Sequence, residues 1–268
     1  METPTPALTA HPHRFPVSIG YYTMVRKEFI RIVRIWSQTL LPPIITTALY
    51  FAIFGTFIGS QVASIHGFKY VQFIVPGLVM MAIITSSYMN TVSTFYFSKF
   101  LRTIDELFAS PMPNWVVVAG FVTGGVMRGL LVGILVIGVS LFFTHLVIYN
   151  ALVLIMAAIL TSVLFSFAGL VNGIFAKSFD AVSIIPTFVL TPLTYLGGIF
   201  YSIDQLPPLF RTLSLGNPIL YMVNAFRYGF LGITDVPLSI CFGVMGGFIL
   251  LFIILTLVLF KSGTGLKN

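Results

Sequence analysis

Apolar residues run along this chain in long blocks, broken by short polar stretches. Blocks of about 20 residues suit membrane-spanning helices, because the hydrocarbon core is about 30 Å thick and a helix rises about 1.5 Å per residue. The pattern predicts six spans, at about 39–60, 71–97, 115–143, 147–176, 181–200 and 238–260. Ahead of them, Tyr22, Val25, Phe29, Ile32, Val33 and Trp36 recur on one helical face, and Lys27, Arg31 and Arg34 fall on the other. That periodicity predicts an amphipathic helix over 17–38, lying in a membrane interface with its cations toward anionic headgroups. Pro42 and Pro43 suit the first turn of the first span. Residues 1–16, polar and punctuated by Pro and His, are expected to form a disordered tail. Residues 17–268 then make a single all-α membrane domain, and 201–237 is too polar and Pro-rich to be a seventh span.

Composition agrees with lipid as the solvent. Hydrophobic residues make up 57% of the chain and charged residues 8%, with a mean hydropathy of +1.03, whereas soluble domains carry about 25% charged residues. The net charge of +7 does not point to nucleic acid, since the cations sit between the apolar blocks. Arg14, Arg26, Lys27, Arg31, Arg34, Lys99, Arg102, Lys177, Lys261 and Lys267 fall on one side of the six-span map. Lys69, Arg211 and Arg227 fall on the other, so both termini are expected in the cytoplasm. Cys241 is the single cysteine, which excludes an internal disulfide framework. The N-terminal segment lacks the apolar run and cleavage site of a secretory signal.

The most specific local pattern is SKFLRTIDELFASPMPN, between the second and third blocks. Thr103 followed by Glu106 has capping-box spacing, and Asp105 adds negative charge where a helix N-terminus favours it. Pro111 and Pro113 end the element. The expected short helix carries Ile104, Leu107 and Phe108 on its apolar side, and it either docks a cytoplasmic partner or rests on lipid.

This loop, LRTIDELFASPMP, resembles the coupling-helix loop of ABC type-2 exporter permeases, with its acidic residue, Leu and Ser-Pro pair. Residues 195–232, YLGGIFYSIDQLPPLFRTLSLGNPILYMVNAFRYGFLG, are similar to the same family's Gly-Gly-(Ile/Phe)-Phe-Tyr, Leu-Pro, Asn-Pro and downstream Arg. The resemblance covers nearly the whole chain. It implies a bacterial inner-membrane homodimer of six-span subunits with two separate ATPase subunits beneath. Arg102, Thr103, Asp105, Glu106 and Leu107 would dock the ATPase, and 201–237 would form short re-entrant helices on the outer side. No G-x-x-x-x-G-K-[ST] loop occurs in the chain. ATP and Mg would therefore be bound by the partner ATPase, with no cofactor, metal or catalytic residue in this chain.

In the third block, Gly125, Gly129 and Gly133 recur at four-residue spacing, a stripe that lets helix backbones approach closely. Arg128 lies beside it, near the middle of the span. A cation there costs at least about 2.5 kcal/mol unless it faces protein or water. Its expected mates are helix carbonyls or a loop acid, and its role is either a latch or a substrate ligand. Two polar stripes are candidates for a pathway. Ser87, Asn90, Thr91 and Thr94, beside Tyr88, mark the second block; Ser183, Thr187, Thr191 and Thr194, beside Tyr195, mark the fifth, with Pro186 and Pro192 as kink points. Related exporters turn these two spans toward the dimer axis; hydrogen bonding between helices is the competing reading.

An ion-coupled secondary transporter needs a titratable midplane group, and no predicted span contains Asp or Glu. A membrane enzyme is opposed by scattered His and acids and by the lack of a Ser/His pairing. Thr/Ser-rich stripes favour a small amphipathic or lipid-like cargo over a glycan, whose exporters stack sugars on aromatic belts.

Overall fold

The computed structural model describes residues 17–59, 64–263 and 265, so the tail expected at 1–16 lies outside the described residues. Its described elements are all helices, apart from one isolated bridge between Ile65 and Phe68. Five stretches are long and apolar enough to cross a membrane: Trp36–Gly55, Tyr70–Phe100, Asn114–Ser140, Ala151–Phe175 and Leu238–Ser262. The fifth predicted span, 181–200, is present as a shorter apolar helix, Phe179–Tyr195.

Helix α1 covers Val17–Arg34. The chain breaks at Ile35 (φ −111°, ψ 33°), and α2 follows over Trp36–Tyr50. Since α2 begins at Trp36, Pro42 and Pro43 lie in its second turn, one turn later than expected. A π-helical segment, Phe51–Ile58, carries α2 onward. Helix α3 (Tyr70–Phe100) is the hub: 78% of its most apolar window is buried, against 22% for the peripheral α11 (Leu238–Ser262). Helices α5 (Asn114–Ser140) and α6 (Ala151–Phe175) pack on its two sides.

The glycine stripe sits where these helices cross. A Cβ on Gly125 would run into Thr91 Oγ1 of α3 and Ser166 Oγ of α6; one on Gly129 would meet Ser87 Oγ and Ser162 Oγ. At Gly133 it would lie 2.8 Å from Ile83 Cγ1. A second glycine face of α5 receives α1: Gly120 lies against Met24 and Gly124 against Glu28. Matching numbers rise together on both helices, so α1 runs parallel to α5 along its length.

That packing corrects the expected α1 face. Met24, Glu28 and Ile32 are the buried positions, while Tyr22, Phe29 and Val33 are exposed. Arg31 does not reach toward headgroups. It pairs with buried Glu28 at 2.7 Å and donates to Asn90 Oδ1 of α3 at 2.8 Å. Burying a carboxylate is costly unless it is paired and hydrogen-bonded, and the small Gly124 leaves room for this one.

The turn expected at 144–145 is longer. Helix α5 ends at Ser140 and α6 starts at Ala151, capped by the Asn150 side chain on Val153 N. The connection is used: Tyr149 N and Asn150 N donate to Phe230 O and Gly229 O at the end of α10 (Pro218–Leu231). Those carbonyls have no partner within their own helix.

The Phe179–Tyr195 helix joins α7 (Phe179–Ile185), capped by Ser178, to α8 (Thr191–Tyr195) through a π-helical turn at Pro186–Leu190. A wide turn, rather than a kink, absorbs the prolines. Pro186 has no N–H for Val182 O; the Asn172 side chain of α6 donates to that carbonyl instead, at 3.3 Å. The expected full span to residue 200 therefore ends at Tyr195. The following Leu196–Ser202 stretch turns into a short 3₁₀ turn (Ile203–Gln205) and α9 (Pro208–Leu215). Helix α10, buried along most of its length, completes the segment.

Candidate functional site

Three places on the fold bring polar chemistry together. The first is the loop helix α4, Thr103–Ala109. The expected capping box does not form, because Thr103 is already inside the helix and its hydroxyl bonds to Ser98 O at 3.3 Å. Arg102 is the N-cap, held in the left-handed region at φ 58° with an exposed side chain. Ile104 is buried, and the Phe108 ring packs edge-on against Phe260 of α11 at 5.9 Å. Leu107 packs against the same cluster from a partly buried position. Asp105 and Glu106 point outward and are exposed. Close by, Lys99 Nζ caps the end of α6 by donating to Ile174 O at 2.6 Å.

The second place is a buried knot at the opposite end. Gly198, in the Gly-Gly-Ile-Phe-Tyr run, adopts φ +72°, a conformation glycine reaches without strain. Its carbonyl accepts from Arg227 of α10, which is 1% exposed. The Arg227 guanidinium lies 4.0 Å over the Phe73 ring and 3.9 Å from Asp235 Oδ2. Asp235 also accepts from Ser202 Oγ (2.8 Å) and Ile203 N (3.2 Å), and its own N–H donates to Asn224 Oδ1. His66 Nε2 lies 3.4 Å from Ser202 Oγ, a Ser/His contact that chain spacing did not suggest. That serine gives its proton to Asp235, so the trio ties loops together and is not wired as a nucleophile and base. Asp235 was missed because nothing local marks it: its partners lie in three separate segments.

The third place is a groove of about 300 Å³ between α2 and α3, reaching α5 at Arg128. Its floor is the α3 face of Leu78, Met81, Ala82, Thr85, Ser86 and Met89. Gln38, Pro42, Pro43, Thr46, Thr47 and Tyr50 form the α2 wall. Arg128 Nη2 donates to Thr39 O at 3.3 Å, the carbonyl mate expected for it. The reason is local: Pro43 has no N–H, so the Thr39 carbonyl lacks its helical donor. Arg128 is thus level with the start of α2, about one turn from exposed Trp36. Tyr50 Oη and Tyr195 Oη, 3.2 Å apart, meet at the far end beside the stacked Phe54 and Phe200 rings.

The two expected polar stripes part company. Ser87, Tyr88, Asn90, Thr91 and Thr94 are enclosed within the subunit, with Thr91 and Thr94 bonding back to carbonyls of their own helix. Ser183, Thr187, Thr191 and Tyr195 form an exposed line, and Thr194 turns inward.

Compared with known protein families, residues 20–231 match the family model described as ABC-2 type transporter. The chain belongs to that family. It is 55% identical over 242 residues to the inner membrane transport permease YadH of Escherichia coli K12, covering 90% of this chain and 94% of that one. Nodulation protein J of Rhizobium leguminosarum bv. viciae is 22% identical, over 80% of this chain and 83% of its own length. Nodulation protein J of Rhizobium meliloti is also 22% identical, over 82% and 84%. The protein is therefore an inner-membrane transport permease, a membrane component of an ABC-2 type transporter. α4 and the knot lie in the two motifs whose resemblance had suggested the family.

Proposed function

We propose that the chain is the permease subunit of an ATP-driven exporter, working as a homodimer on two separate ATPase subunits. Both termini and α4 face the cytoplasm. Short helices α9 and α10 re-enter from the outer side and close the exit, and the cargo is small and amphipathic or lipid-like. The observation that carries this reading is α4. Ile104 and Phe108 fasten it to the α5 and α11 ends, so force applied to the helix reaches the spans. Its acids stand free in solvent for an external partner. Arg102, Thr103, Asp105, Glu106 and Leu107 form the docking surface. Thr187, Thr191 and Tyr195 line the path from the exposed face of the Phe179–Tyr195 helix. Ser87, Tyr88, Asn90, Thr91 and Thr94, with Gly125, Gly129 and Gly133, hold the moving helices in register.

The test is capture of the tagged chain from its host in mild detergent, with mass spectrometry of what co-purifies. A stoichiometric ATPase carrying a phosphate loop, lost when Asp105 and Glu106 are both changed to Lys, is the expected result. A lone homo-oligomer across several detergents would overturn the reading.

A further inference from the structure

The groove at Arg128 has an amphiphile's polarity built along it. Leu78 to Met89 on α3 gives a floor about 17 Å long at 1.5 Å per residue. Arg128, Gln38 and Met89 lie at one end, Thr46, Thr85 and Ser86 in the middle, and Leu78 and Tyr50 at the other. Among the described lining residues none is acidic, and Arg128 is the one cation.

Its charge is not spent inside the protein. Its contact with Thr39 O is to a neutral carbonyl, and its buried Nε has no partner. Glu28 sits against Gly124, one turn before Arg128 on α5, but that carboxylate is engaged by Arg31 at 2.7 Å. Two cations against one acid leave a net positive charge at this end of the groove. Arg227 also has an unpartnered Nε and Nη1, but its charge is answered: Asp235 lies 3.9 Å away and the Phe73 ring beneath it. A guanidinium left with donors to spare beside an apolar channel favours an anion carrying a chain. The groove is also open along its length. Thr85 of the floor and Pro42 and Thr46 of the wall are exposed, so a chain can enter sideways.

We propose that this groove binds a single-chain amphiphile with an anionic headgroup. The headgroup sits on Arg128 and Gln38, and the chain lies along Met81 and Leu78 toward Tyr50. That such a molecule is the cargo class rests on the exporter reading above; the site itself does not. A permease that binds the probe but recruits no ATPase would fail that reading and keep this site. The converse would fail this site alone.

The experiment uses full-length permease in phosphatidylcholine nanodiscs, with dodecyl phosphate as probe and the uncharged dodecyl maltoside as its neutral counterpart. Dodecyl phosphate is expected to bind at least tenfold more tightly than the neutral probe. Arg128→Gln should remove that preference. Because Arg128→Gln can also disturb folding, Thr85→Asp is the second variant; it places a carboxylate in the groove and keeps the arginine. It is expected to weaken dodecyl phosphate at least tenfold more than it weakens the neutral probe. Equal affinity for the two probes in the wild-type protein, or full preference retained in both variants, would overturn the proposal. Displacement of the probe by millimolar inorganic phosphate would also overturn it, in favour of a free-anion site.

Discussion

Two arginines lie inside this membrane protein, and the fold treats them in opposite ways. Arg227, in the knot beneath the Gly-Gly turn, is sealed from solvent and given an acid, a carbonyl and a phenyl face. Arg128, on the groove, has one proline-freed carbonyl and an open channel. The enclosed one has its charge answered by Asp235 and works as a structural tie. The open one has binding capacity left over, and that capacity is where function belongs.

The largest effect should come from breaking the sealed partner. Arg227→Leu leaves Asp235 buried without its cation, and losing one member of such a pair costs about 3–5 kcal/mol. Thermal unfolding in detergent should show a large fall in Tm, partly recovered by Asp235→Asn in the same chain. Next comes Gly129→Leu, one residue from Arg128, where a side chain collides with Ser87 and Ser162. Overpacking of this kind costs about 1–3 kcal/mol, and the yield of monodisperse protein should drop. Arg128→Leu should cost only about 1 kcal/mol, the value of one hydrogen bond, while transport is impaired far more than stability. If Arg128→Leu and Arg227→Leu lowered Tm equally, the contrast would be lost. Smallest in stability is Asp105→Lys with Glu106→Lys: both side chains are exposed, so Tm should hold while ATPase co-purification and transport are lost.

Five of the spans, the α4 helix and the glycine stripe were legible because each rests on a pattern within one stretch of chain. Asn150, Ser178 and Asn217 cap helices through local bonds that the hydrophobic pattern did not single out. What could not be read depended on partners far apart in the chain. Glu28 is buried only because Gly124 opens a slot and Arg31 folds back toward Asn90. Asp235 gains its role from Ser202, Ile203 and Arg227. The α4 cap failed for a local reason: left-handed Arg102 starts the helix one residue before Thr103. The polar stripe on α3 looked like pore lining but is covered by α5 and α6, since period alone does not say which neighbour a face meets.

The central claim is that this permease is driven by a separate ATPase. It is tested most directly by reconstituting the permease, with and without its co-purified ATPase, into vesicles loaded with a fluorescent anionic amphiphile. The account predicts movement of that probe only when ATPase and ATP are both present, and none in the Asp105→Lys, Glu106→Lys double variant. Movement by the permease alone, driven by an imposed proton or sodium gradient and indifferent to ATP, would contradict it.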